Sequence, residues 1–350
     1  MSTGLYIRED EDIVIGGIPP LILRRTYLSG YRTSKQFGVG ATHNGEIYLA
    51  GDFQNISLIL AKGSRIPFAR TGPGPLLQAV FEHRAGSDDW LGAQLRFTLG
   101  AWVLKRPDGA ELTFKWCGPQ AGSVCSIIRS RGTFGETIDY QRDASGRLTR
   151  IESGSRWIAF EYDARGRITR AEASSGRSVA YDYDSAGRLA RVKGSGGQEH
   201  RYGYSDLDQL VRIEDPETTV DNVYDANGRV IRQVNRFPGE AEALTFTFSY
   251  RLRANSVMQT ESQRSDSVWR RFTFNENHNV IAEEFGLDGQ PHGTFTYERA
   301  PQTGSVSSLT ITCPERNGES PRHTQPVSDG DLEGTKMQLV QACFAHMQSR

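Results

Sequence analysis

The sequence is poor in the residues around which many enzymes and metalloproteins are built. Among 350 residues there are four cysteines and seven histidines. Cys117, Cys125, Cys313 and Cys343 contain no Cys-x-x-Cys pair, which excludes a zinc ribbon and a dithiol redox motif. The histidines at 43, 83, 200, 278, 292, 323 and 346 show neither His-Glu-x-x-His nor paired ligand spacing, so no metal site is expected. Gly-x-Ser-x-Gly and a phosphate-binding loop are also missing, and the expectation is no catalytic residue, no cofactor and no enzyme. Charge of one sign is lacking as well. The net charge is −1, which excludes a bulk pull toward nucleic acid. No apolar run approaches the about 18 residues of a membrane-spanning helix. The N-terminus, Met1-Ser2-Thr3-Gly4-Leu5, has no basic n-region and no apolar h-region. The chain is therefore expected in the cytoplasm, or exported by a leaderless route. Reduced thiols are the default there, although Cys117 and Cys125 could bridge a hairpin.

What is present is a repeat. Aligned on one tyrosine, it runs Tyr140…Gly146-Arg147-Leu148, Tyr162-Asp163-x-x-Gly166-Arg167-Ile168, Tyr183-Asp184-x-x-Gly187-Arg188-Leu189, a worn copy from Tyr204 to Leu210, and Tyr224-Asp225-x-x-Gly228-Arg229-Val230. The tyrosines are 22, 21, 21 and 20 residues apart, and so short a period means stacked supersecondary units. Each unit reads as strand, tight turn, strand. Ile158, Phe160 and Tyr162 alternate on one face. The aspartate opens the turn by accepting a backbone N–H two residues on, and the glycine closes it at positive φ. The apolar pairs Leu148/Ile151, Leu189/Val192 and Leu210/Ile213 are three apart. Either the return strand carries a bulge or both of its faces are partly covered. Lys and Arg nearly balance Asp and Glu along the repeats, as cross-strand ion pairs and Arg–Tyr stacking require.

These residues resemble the YD repeat of Rhs (rearrangement hotspot) proteins, related to teneurins and to the shells of insecticidal toxin complexes. The resemblance implies an all-β hairpin ribbon that spirals into a shell, which in large members often encloses a C-terminal toxin. Asp12, Pro20-Leu21, Arg25-Thr26-Tyr27 and Phe37-Gly38-Val39-Gly40 are similar to the domain that starts such shells. Ala41 stands where that domain has an aromatic residue. The sequence contains no Asp-Pro-x-Gly self-cleavage motif of large members, and neither a toxin-sized domain after it nor a Pro-Ala-Ala-Arg spike-tip domain before it is expected. The family's delivery roles therefore do not carry over directly.

The expected organisation is an N-terminal Rhs-type β cap over 1–135, YD repeats over 136–312, and a polar linker with a short amphipathic helix over 313–350. In the cap, strands are expected over Phe53–Ile59, Leu76–Phe81, Leu95–Leu104 and Glu111–Trp116. Asp10-Glu11-Asp12 reads as a solvated run before a strand. Trp116-Cys117-Gly118-Pro119 copies the start of a thioredoxin site, but Gln120 replaces the second cysteine and no helix follows. Beyond 236, aromatic strands recur at Tyr250, Phe274 and Tyr297, with Asn279 in the place of the turn glycine. Ser308–Thr312 is the last strand expected. Thr335-x-x-Gln338 forms a capping box, and Leu339, Val340, Cys343, Phe344 and Met347 form one apolar stripe over a helix at 336–347. That helix either docks on its own shell or serves as a handle for a partner. The overall expectation is a partial, open shell and a monomer.

Three functions fit these features. The first is a non-enzymatic scaffold or binding protein associated with a polymorphic-toxin or type VI secretion system. The second is a surface carbohydrate-binding module, using rows of Tyr, Trp and Arg. The third is a remnant of a longer Rhs toxin. The partner is accordingly a protein or a carbohydrate, not nucleic acid.

Overall fold

The computed structural model describes residues 3–348 apart from 53, 76–77, 85–89, 119–122, 255, 301–304, 316–317 and 328–330, and excludes the side chains of 34 and 345–348. Phe53, Leu76, Pro119, Gln120 and the Met347 side chain lie outside the described residues. The chain divides into two compact units, Tyr6–Ala85 with Trp90–Pro216, and Glu217–Arg350 with Met1–Leu5. Both are built from antiparallel strands, in agreement with the all-β reading.

In the first unit eight strands form a closed circuit. Tyr48–Gly51 pairs with Asn55–Ile59, followed in order by Arg65–Arg70, Val80–Glu82, Gln94–Thr98, Ala101–Lys105, Glu111–Lys115 and Val124–Arg131. The circuit closes because Val124–Ser126 pairs back onto Tyr48–Ala50. Each strand contributes a large side chain to the core: Leu49, Leu58, Phe68, Phe81, Leu95, Leu104, Phe114 and Ile127, none more than 1% exposed. An eight-stranded barrel is just wide enough for side chains to fill, and closure leaves no unpaired edge. Residues 48–131 thus form a packed barrel. Leu95–Leu104, expected as one strand, is a hairpin turned by Leu99 and Gly100, at φ 50° and 83°. Trp116 packs on Phe97 with ring centroids 4.8 Å apart, and Cys117 is bonded to Cys125. The default of reduced thiols fails here because the two Cα atoms are only 5.0 Å apart, within disulfide reach.

Val124–Arg131 is where the barrel hands over to the ribbon, since its second half pairs with Thr137–Arg142. From there each strand pairs with the next as far as Leu210–Glu214. The bulge alternative holds on every return strand. Tyr162 pairs with Ile168 and Glu161 with Arg170, so Thr169 is the extra residue. That one residue lets Leu148 and Ile151, Leu189 and Val192, and Leu210 and Ile213 all point inward, each at most 3% exposed. Two of the backbone N–H groups displaced by the bulges find partners in the N-terminal segment. Ile168 donates to the Gln36 carbonyl at 2.7 Å, and Leu210 to the Tyr27 hydroxyl at 3.0 Å. That segment forms a three-stranded sheet of Ile7–Ile15, Leu21–Leu28 and Ala41–His43.

The second unit continues the antiparallel order from Thr219–Tyr224 to Val306–Thr312. It adds a strand, Arg322–Pro326, inside the segment expected to be linker, because that segment pairs back onto Ser308–Thr312. Helix α1 spans Leu332–Gln348 and packs on these last two strands. Its N-cap is Asp331, whose Oδ1 accepts the Gly334 N–H at 2.9 Å, and not Thr335. Thr335 lies within the helix and donates its hydroxyl to the Asp331 carbonyl. Leu339 and Cys343 are buried while Phe344 is half exposed, so the docked stripe is narrower than the sequence pattern. Cys343 is bonded to Cys313.

Candidate functional site

The repeat residues form a latch that runs from one repeat to the next. Asp163 Oδ1 accepts the backbone N–H groups of Arg165 and Arg167, each at 2.9 Å, while Oδ2 pairs with the Arg167 guanidinium at 2.6 Å. Asp143–Arg147, Asp184–Arg188 and Asp225–Arg229 form the same ion pair. Gly146, Gly166, Gly187 and Gly228 close these turns at φ 76–86°. Each arginine then reaches forward. Arg147 lies over the Tyr162 ring, Arg188 over Tyr204, Arg229 over Tyr250, and Arg167 over Tyr183 at 4.2 Å. Each covered tyrosine donates its hydroxyl backward, Tyr162 to the Leu148 carbonyl, Tyr183 to Ile168, Tyr204 to Leu189 and Tyr250 to Val230. Burial pushes these phenols up, Tyr250 to about 12, so they remain protonated donors. Tyr224 heads the Asp225 turn.

Two copies differ from the sequence alignment. The residue preceding Asp143 in the first turn is Arg142, not Tyr140, and it pairs across the bulge with Leu148 as Tyr162 does with Ile168. Tyr140 instead packs on the barrel core. In the copy headed by Phe274 the positive φ of 60° falls on His278, while Asn279 takes the arginine place and donates its N–H to Asn275 Oδ1 at 3.0 Å. In the worn copy Asp208 takes the glycine place at φ 59°.

A groove of about 460 Å³ opens where Ile7–Ile15 passes the hairpins near Ser178 and His200, with Asp10, Asp12, Arg177 and Gln198 beside Val179 and Val192 on its walls. Asp10 and Asp12 lie within a strand, which corrects their reading as a solvated run. Strand alternation puts both on the inward face, and a bulge between Glu11 and Ile13 brings Ile13 to that face as well. Their partner is Arg25, 2% exposed, which donates Nε to Asp12 at 3.1 Å and a second nitrogen to the Tyr202 hydroxyl at 3.0 Å, and which lies 3.2 Å from Asp10. Tyr181 donates to Asp12 at 2.9 Å. Arg8 bridges Asp10 and Asp215, each at 2.8 Å, and His200 Nδ1 meets Asp215. Burial works against the Asp10 charge, but Arg25 and Arg8 outweigh it and hold the carboxyl below the usual range. For Asp215 burial is likewise outweighed, by His200 and Arg8. The array matches anions to cations inside the fold. The only sequence sign of it is the alternation Arg8-x-Asp10-x-Asp12, because Arg25, Tyr181 and Tyr202 are distant in the chain.

Two family models match the chain. A domain of unknown function, DUF6531, covers residues 1–68, and the teneurin YD-shell covers residues 121–223. No curated protein matches it. Among solved structures it is similar to TcdB2-TccC3 without its hypervariable C-terminal region, at 12% identity and TM-score 0.40, covering 86% of this chain and 21% of that one. It is also similar to the Photorhabdus luminescens Tc holotoxin pore, at 11% identity and TM-score 0.37, covering 84% and 21%. A porin-like protein from Bacteroides uniformis matches at 12% identity and TM-score 0.28, covering 64% and 91%. The chain thus spans about a fifth of the toxin-complex chains that it matches.

Proposed function

Because this chain belongs to the Rhs/YD-repeat proteins, we propose that it is a non-enzymatic scaffold that holds a protein partner in a toxin-associated or type VI secretion assembly. The observation that carries this reading is the latch. Its aspartates, arginines and tyrosines use their polar groups on one another, so the motif stiffens a ribbon and has no proton or nucleophile set aside for a substrate. The Arg25 array follows the same logic, with Asp10 and Asp12 each answered by a cation. A carbohydrate module needs open aromatic faces, and Tyr162, Tyr183, Tyr204 and Trp157 each carry an arginine over the ring. The test is co-expression of the full chain with the polypeptides encoded beside it, followed by size-exclusion chromatography with mass measurement. A stable complex with one of them is expected. Elution as a lone monomer from every mixture would overturn the reading.

A further inference from the structure

We propose that Cys313, Cys343 and His323 form a redox-gated binding site for a thiophilic cation, with zinc(II) as the probe. The ligand atoms of the three residues lie within 4.8 Å of one another. Sheet register places two of them. His323 pairs directly with Ile311, and Cys313, two residues further along that chain, faces the same side. Helix α1 supplies the third, because Leu339 and Cys343 are the residues that it buries against this sheet. Cys313 is 3% exposed and Cys343 2%.

A second observation points to a ligand. His323 Nε2 is buried and has no hydrogen-bond partner among the described residues. A buried, unsatisfied ring nitrogen costs free energy, and a metal ion beside two sulfurs removes that cost. Two thiolates and one imidazole match the donor types of zinc sites, with Zn–S about 2.3 Å and Zn–N about 2.0–2.1 Å. The fourth position is left to water or to a donor from a partner.

In the structure the two sulfurs are bonded to each other, so the cation and the disulfide exclude one another. A dithiol reductant opens the site. It gives two electrons and two protons to Cys313–Cys343, the S–S bond breaks, two thiols form, and the reductant leaves as its own disulfide. Zinc(II) then displaces both thiol protons to solvent and takes the Nε2 lone pair, with no change in its own oxidation state. Either the S–S bond or the metal then ties α1 to the last strands. No histidine or carboxylate among the described residues completes such a group at Cys117–Cys125, which makes that pair the internal control.

The test uses the full chain, reduced with a phosphine and handled without oxygen. Zinc affinity is measured by competition with a chromophoric chelator, and cobalt(II) serves as a spectroscopic substitute. The reduced chain should bind one equivalent, with a thiolate-to-cobalt charge-transfer band, and the oxidised chain none. His323→Ala should weaken zinc by more than the about 10–100-fold typical of losing an outer-shell partner. Cys313→Ser should abolish binding, and Cys117→Ser should leave it unchanged. His323→Gln, checked for folding by circular dichroism, separates ligand loss from unfolding. Failure of the reduced chain to take up zinc, an affinity indifferent to His323, or loss of binding in Cys117→Ser would each overturn the proposal.

Discussion

Removing one carboxylate from the latch should cost far more than its surface position suggests. Asp163→Ala deletes two hydrogen bonds from backbone N–H groups and the ion pair to Arg167. Hydrogen bonds to charged groups are worth about 1.5–3 kcal/mol each, and a capping residue replaced by alanine costs about 0.5–2 kcal/mol. The turn is partly exposed, so water replaces some of this and the expected loss is about 2–3 kcal/mol. Asp163→Asn keeps an acceptor for both N–H groups and gives up only the partly exposed ion pair, at about 0.5–1 kcal/mol. Urea unfolding at neutral pH followed by tryptophan fluorescence reads both values. The folded-state pKa of Asp163 is depressed: burial opposes its charge, while the Arg167 N–H and guanidinium outweigh burial. Its contribution is therefore present above the unfolded value near about 3.9 and is lost as pH falls through the folded value. The gap between the wild type and Asp163→Ala should shrink in acid. Equal costs for Ala and Asn, or both below about 0.5 kcal/mol, would refute the latch geometry.

Further outcomes follow from the same structure. Gly38→Ala should destabilise more than Gly146→Ala: both sit at φ above 80°, but a Cβ at Gly38 would lie 2.4 Å from the Gly187 carbonyl, whereas one at Gly146 meets nothing within 4 Å. Paired urea titrations check that order. Arg25→Met leaves Asp12 buried without its cation and Asp10 with Arg8 alone, and should cost about 3–5 kcal/mol in the same assay. Burial raises the Glu46 carboxyl to about 7. The folded state then binds the extra proton, so this group's contribution to stability falls as pH rises from about 4.5 toward 7. Glu46→Gln should flatten that part of the stability–pH curve.

Where local chemistry decides, the fold was legible. The turn glycines at 146, 166, 187 and 228 needed only the rule for positive φ, and the three-residue apolar spacing implied a bulge that the structure places at Thr169 and its equivalents. Tyr140 stands out in the sequence pattern because Arg142 occupies the tyrosine place and hides the period. The sequence points to Asn279 and not to His278 because Asn is the commoner substitute in that conformation. Closure of the barrel depends on Val124 finding Ala50, and the Arg25 array on Tyr181 and Tyr202. Such non-local pairings leave no periodic trace. The Cys313–His323–Cys343 group is invisible for the same reason, since its members come from two strand ends and a helix.

Whether the repeats hold one another through their recurring polar residues is tested most directly by a double-mutant cycle across one repeat boundary. Arg167→Ala, Tyr183→Leu and the double variant would be compared by urea unfolding at neutral pH. Arg167 lies 4.2 Å from the Tyr183 ring centroid, the closest such stack in the series. The account predicts a coupling of about 0.5–1 kcal/mol, or more if the pair is well desolvated. Strictly additive losses would contradict it, because the arginine would then serve only its own turn.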